Sequence, residues 1–151
     1  MELREMQWED IVDVYELLKI ESVSRYTVFP IDSLDDFIDY YETVMMDDLL
    51  YVLETDTCIC GLIQFHTFKN DSCELGYYMH PKYRRRGWMK QCLLTMFSQI
   101  DVSCIYAYIA QDNLASITFA QAMGFQYVNQ DEPMCLNDGK NHFINIYERR
   151  I

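Results

Sequence analysis

The stretch Met79-His80-Pro81-Lys82-Tyr83-Arg84-Arg85-Arg86-Gly87-Trp88-Met89 joins a strand-like run to an amphipathic helix in an otherwise acidic chain. Cys73 to Met79 reads as a strand that Pro81 ends. From Gly87 to about Gln99, the residues Trp88, Met89, Cys92, Leu93, Met96, Phe97 and Ile100 form one apolar stripe at helical spacing. Three of the chain's 12 Lys and Arg residues stand together in this turn, directly before a glycine. Positive charge at a glycine turn that opens a helix builds an anion site. The first amides of the helix are free, its dipole favours negative charge, and glycine lets the backbone come close.

Reading outward from this turn, strand patterns occupy Leu49 to Glu54 and Cys58 to Phe68, with a tight connection between them and a second turn at Asn70-Asp71. Gly76 interrupts the Cys73–Met79 strand, which predicts a bulge or a close approach by a ligand. Upstream lie a short extended piece over Glu2 to Met6 and a helix carrying Ile11, Val14, Tyr15, Leu17 and Leu18. A less regular segment follows from Ser22 to Asp32. A second helix runs from Leu34 to about Met46, with Ser33 as N-cap and Asp36 as its capping-box partner.

Downstream, Cys104 to Ile109 alternates as a strand. Asp112 or Asn113 caps a helix that ends at Met123 and Gly124. Phe125 to Val128 and Phe143 to Tyr147 read as closing strands, separated by a polar loop around Pro133 and Asn137-Asp138-Gly139. The order β-α-α-β-β-β-α-β-α-β-β predicts one α/β domain over residues 1–151, a mixed sheet flanked by helices.

Composition narrows the partners. A formal charge of −12 opposes nucleic acid binding, since phosphate backbones require broad positive surface, and it favours a cationic partner such as an amine or a basic peptide. Six cysteines lack C-x-x-C spacing and fall mostly in apolar runs, which predicts reduced core thiols in a cytoplasmic protein and no metal site. The N-terminus has no basic start followed by an apolar block, and no apolar run reaches membrane-spanning length, so no membrane partner is expected.

Two signatures together resemble the GNAT superfamily of acyl-CoA-dependent N-acetyltransferases. The first is the opening stretch, similar to the family's Arg/Gln-x-x-Gly-x-Gly/Ala turn. Arg84 and Gly87 match, and Met89 replaces the small last residue. The second is Asn113-x-x-Ser116-Ile117 leading to Gly124-Phe125, similar to the family's Asn-x-x-Ala/Ser-Ile helix that ends in Gly-Phe. The resemblance implies a mostly antiparallel sheet of about seven strands with about four helices. It implies acetyl-CoA as co-substrate, with the pyrophosphate held by the turn at Arg84, Arg85, Arg86, Gly87, Trp88 and Met89. It implies further that the backbone near Tyr77 and Met79 pairs with the pantetheine arm, which Asn113 and Ser116 approach from the neighbouring strand. A bulky Met89 would weaken or shift that binding.

The same resemblance implies transfer of an acetyl group to a primary amine, on a protein N-terminus or a small molecule, by direct attack in a ternary complex. Glu74 is the candidate base, competing with a role in orienting substrate, and the amide near Met79 is the natural oxyanion donor. The tyrosine that many members carry seven residues after the helix asparagine is Ala120 here. Ser116, Tyr78, Tyr108 and Tyr127 remain as hydroxyl donors. No cysteine pairs with a histidine as a nucleophile would require. A second reading, raised by Met89 and Ala120, is a non-catalytic acyl-CoA-binding regulatory module. Arg25, Tyr26, Phe29, Tyr40, Tyr41 and the segment from Asp131 to Asn141 are candidate substrate walls, and a homodimer is left open. A P-loop reading fails for want of Gly-x-x-x-x-Gly-Lys-Ser/Thr.

Overall fold

Alternation in the middle of the chain creates the sheet. In β2 (Leu49–Glu54) and β3 (Ile59–Lys69), Val52, Leu53, Leu62, Ile63 and Phe65 are all fully buried, because β3 carries helices on both of its faces. A computed structural model describes residues 1–151. Its seven strands lie in the order β1-β2-β3-β4-β5-β7-β6, where β1 is Glu2–Glu5, β4 Ser72–Met79, β5 Cys104–Ala110, β6 Gln126–Cys135 and β7 Asn141–Arg150. Every pairing is antiparallel except β4 with β5.

Five helices flank the sheet: α1 (Ile11–Leu18), α2 (Glu21–Ser24), α3 (Leu34–Asp47), α4 (Trp88–Phe97) and α5 (Leu114–Ala122). The single turn of α2 adds to the four expected and falls where irregular chain was predicted. On one face, Val14 and Leu18 of α1 and Phe37 and Tyr41 of α3 pack on Leu50, Val52 and Leu62. On the other, Met89, Cys92, Leu93, Met96 and Phe97 of α4 and Ala120 of α5 pack on Ile63, Phe65, Leu75, Ile105 and Ala107. Each fully buried side chain of this size contributes about 1.5–3 kcal/mol through loss of apolar surface from water. Ser33 Oγ accepts the Asp36 amide at 3.3 Å, but Asp36 makes no return bond, so only half of the expected capping box forms. Arg4 ties the first strand down, bridging Asp10 at 2.7 Å and Glu54 at 2.7 Å.

Two expectations are corrected. No bulge occurs at Gly76, which pairs in register with Gln64. The space above Gly76 is filled by Tyr78, whose Oη lies 2.8 Å from where a Cβ would stand. The predicted polar loop around Pro133 is largely strand. β6 runs through it to Cys135, leaving only Leu136 to Lys140 for the connection to β7. Register shifts between Tyr127 and Asn129 and between Asp131 and Met134 let Pro133 sit in the strand where a ladder N–H is missing. Every β6 residue is exposed. An edge strand wet on both faces shows no alternation, so its composition resembles that of a loop.

All six cysteines are unpaired, with Cys60, Cys73 and Cys92 buried. No helix is long and apolar enough to cross a membrane. No group of three or more His, Cys, Asp or Glu side chains is gathered to hold a metal ion.

Candidate active site

The arginine turn is shaped by two left-handed residues. Arg85 has φ 62° and Gly87 φ 76°, so successive peptide N–H groups point to one side as a nest. Gly87 is the N-cap of α4, and the first helical amide to find a backbone acceptor is Gln91, bonded to the Gly87 carbonyl at 3.0 Å. The amides of Arg85, Arg86, Gly87, Trp88, Met89 and Lys90 donate to no protein group. A Cβ on Gly87 would meet nothing within 4 Å, so the space above the nest is open. Lys82, Arg84, Arg85, Arg86 and Lys90 join no ion pair, although acids outnumber bases 24 to 12 in the chain. These features fit a pyrophosphate.

The three arginines differ in what they touch. Arg84 turns back onto the protein, where Nε donates to the Met79 carbonyl at 3.1 Å and Nη2 to the Ser22 carbonyl at 3.1 Å. It pins the turn to β4 and α2 instead of facing the open nest. Arg86 lies 5.2 Å from each of the Tyr83 and Trp88 rings, which stack at 5.8 Å. Arg85 is exposed, without a side-chain partner. Met89 points inward and is 8% exposed in the α4 core, so its bulk lies on the side of the helix facing the sheet.

Beyond the turn, β4 and β5 separate. They pair only from Ser72 to Glu74 against Cys104 to Tyr106, and the wedge above opens into a cleft of about 1390 Å³. The predicted residues Tyr77, Met79, Arg84 to Met89, Asn113 and Ser116 all line it, as does Glu74. Asn113 Oδ1 caps α5 by accepting the Ser116 amide at 3.3 Å. Across the wedge, Tyr77 Oη donates to the Ser116 carbonyl at 3.1 Å and shares a 2.8 Å bond with Ser116 Oγ, its ring packed on Phe119 at 5.1 Å. Burial, partly offset by that bond, pushes the Tyr77 phenol up to about 12. Ala120 is 1% exposed and belongs to the core. Tyr127 does not line the cleft and packs on Tyr147, whereas Tyr78 and Tyr108 do line it.

Glu74 ends the paired part of β4, at the root of the wedge, with His66 Nδ1 3.5 Å away. Burial raises the Tyr108 phenol and the charges of Glu74 and Asp131 raise it further, and all three side chains line the same cleft. Asp131 reaches this place from β6. A buried histidine held by two more exposed carboxylates, which no sequence signal announced, stands near the same end. His142 binds Asp112 at 2.8 Å and Asp138 at 2.7 Å, and Tyr26 meets its ring edge-on at 5.4 Å. These contacts fasten the β6–β7 turn to the residue before Asn113, a link spanning 30 positions of chain.

The model of the acetyltransferase (GNAT) domain family matches residues 1–126. The chain belongs to the GNAT acetyltransferase family. Solved structures share the fold of this GNAT protein across nearly its whole length. A ribosomal-protein-alanine N-acetyltransferase from Brucella melitensis aligns with a TM-score of 0.81 at 16% identity, covering 100% of both chains. An acetyltransferase from Salmonella typhimurium that modifies the N-terminal serine of ribosomal protein L7/L12 gives 0.84 at 18%, covering 99% of this chain and 94% of its own. The protein yncA from the same organism, solved with its cofactor acetyl-CoA, gives 0.79 at 17%, covering 99% and 93%. At such identities the likeness is one of fold. No curated protein matches the GNAT chain.

Proposed function

We propose that the protein transfers an acetyl group from acetyl-CoA to a primary amine by direct attack in a ternary complex. The observation that carries this reading is the run of six unbonded amides from Arg85 to Lys90 at the mouth of the β4–β5 wedge. Those amides, with the charges of Arg85 and Arg86, would hold the pyrophosphate. The backbone of Tyr77 and Met79, with Asn113 and Ser116 opposite, would hold the pantetheine arm. Acetyl-CoA supplies the activated acyl group as a thioester. Glu74 accepts the proton of the amine, directly or through water, and the Met79 amide is the donor we assign to the acyl oxygen. Ser116, Tyr78 and Tyr108 supply hydroxyls within the cleft in place of the tyrosine that Ala120 replaces. No cysteine lines the cleft, which supports direct attack over a covalent enzyme intermediate. We place the activity in the cytoplasm, where unpaired thiols persist.

Glu74→Gln is expected to lower the rate of thiol release and to move its pH dependence upward. An unchanged pH profile would remove Glu74 from the role of base. The buried Ala120 favours the second reading, a regulatory module that binds acyl-CoA without turning it over. Thiol release from acetyl-CoA across a panel of amines separates the two, because the module would bind and release nothing.

A further inference from the structure

The cleft has two chemically unlike ends. One is the cationic turn. The other lies on the sheet face that carries Glu74, Gly76 and Tyr78, opposite the face packed on α4, and its walls are rings and two carboxylates. Phe29 meets Tyr78 edge-on at 5.2 Å and Tyr40 at 6.0 Å, forming one aromatic wall. Because Gly76 has no side chain, the Tyr78 ring folds back over it toward Glu74, and the Tyr78 hydroxyl bonds to no protein group. Tyr108 and Asp131 form the facing wall. Tyr108 registers with Ile146 and Asp131 with Ile144 across β7, so both project from the same face of the sheet.

We infer that the acceptor is a primary amine mounted on an aromatic or similarly bulky apolar body and carrying no carboxylate, an inference that rests on the acyl-transfer reading above. Three observations converge on it. An ammonium group entering the cleft on this sheet face finds the carboxylates of Glu74 and Asp131 and the rings of Tyr78 and Tyr108. The rings of Tyr40 and Tyr78, backed by the buried Phe29, give a flat apolar body a wall to pack on, which a polyamine or aminoglycoside cannot use. The one guanidinium at this end, Arg25, gives Nη2 to Glu21 at 2.6 Å while its Nε has no partner, and Arg84 is spent on two backbone carbonyls. A carboxylate on the acceptor would therefore meet Glu74 and Asp131, and the guanidinium at this end, Arg25, is already shared with Glu21. That disfavours free amino acids.

The test compares 2-phenylethylamine with phenylalanine, which adds only the carboxylate, and with spermidine, which adds charge and removes the ring. Binding is read by calorimetry with coenzyme A present, and thiol release with acetyl-CoA. 2-Phenylethylamine is expected to bind about 100-fold more tightly than phenylalanine, as an unpaired charge in a partly closed site requires. It should exceed spermidine about tenfold and keep the same rank in thiol release. Asp131→Asn, on an exposed strand, should weaken 2-phenylethylamine about tenfold and leave coenzyme A affinity unchanged. Equal binding of phenylalanine, preference for spermidine, or indifference to Asp131→Asn overturns the inference. Failure of acetyl-CoA to bind in the absence of amine overturns the transfer reading itself, and the two failures come from separate titrations.

Discussion

Replacing Gly87 by alanine isolates the backbone of the anion turn from every other contribution. The residue has φ 76°, and an added methyl meets nothing within 4 Å, so no steric clash enters. What is left is the penalty for a side chain in the left-handed region, about 1–2 kcal/mol. For a chain of 151 residues this lowers Tm by about 2–8 °C. The turn can relieve that strain by rotating toward the right-handed region, which swings the neighbouring amides out of the nest. Loss of one charge-assisted bond between an amide and a phosphate is worth about 1.5–3 kcal/mol, so acetyl-CoA affinity should fall about 10- to 100-fold. Asparagine tolerates the left-handed region better and should recover much of both losses. Thermal denaturation and calorimetric titration on the three proteins measure the two effects separately. A lower Tm with unchanged acetyl-CoA affinity would show that these amides do not hold the cofactor. An unchanged Tm together with unchanged acetyl-CoA affinity would show that the left-handed Gly87 is not needed for the turn.

Met89→Ala should destabilise the protein by about 2–5 kcal/mol in urea denaturation, since it empties a buried site in the α4 core, while Met89→Leu keeps the volume and the stability. Loss of acetyl-CoA affinity by Met89→Ala without loss of stability would contradict the inward placement of that side chain. The hydrogen bond to Asp112, opposed by burial and joined by Asp138, raises His142 above its ordinary 6.5. The stabilisation from this cluster should therefore be complete below pH 6.5 and be lost as pH rises through the folded value. The urea midpoint gap between the wild type and His142→Gln should narrow with rising pH, and a gap that is flat or widens would refute the assignment.

Much of this arrangement is legible in the sequence where local periodicity and caps decide it. The α4 stripe, the Asn113 cap and the strands around Glu74 follow from spacing that the packing then uses on the expected faces. Direction is harder to read. Arg84 belongs by pattern to the anion turn, yet its guanidinium bonds Ser22, 62 positions away, and no local rule reports such a contact. The direction of Met89 is decided by the whole helix packing on the sheet, not by the turn motif that contains it. The His142 cluster joins Asp112 and Asp138 through the pairing of β5, β6 and β7, which a linear reading does not supply. β6 escapes because its side chains obey neither helical nor alternating burial.

That strand also has a consequence for how the protein behaves at high concentration. Ten residues at the rim of a sheet, wet on both faces, offer a template on which a second chain could add and start a fibril. Pro133 removes a donor from the rim, and two breaks in register twist it out of a straight ladder. Asp131 and Glu132 add like charges beside the proline. The irregularity that disguises β6 as a loop thus also makes it a poor template for a second copy of the chain. A repair of the strand by Pro133→Val would exchange solubility for regularity.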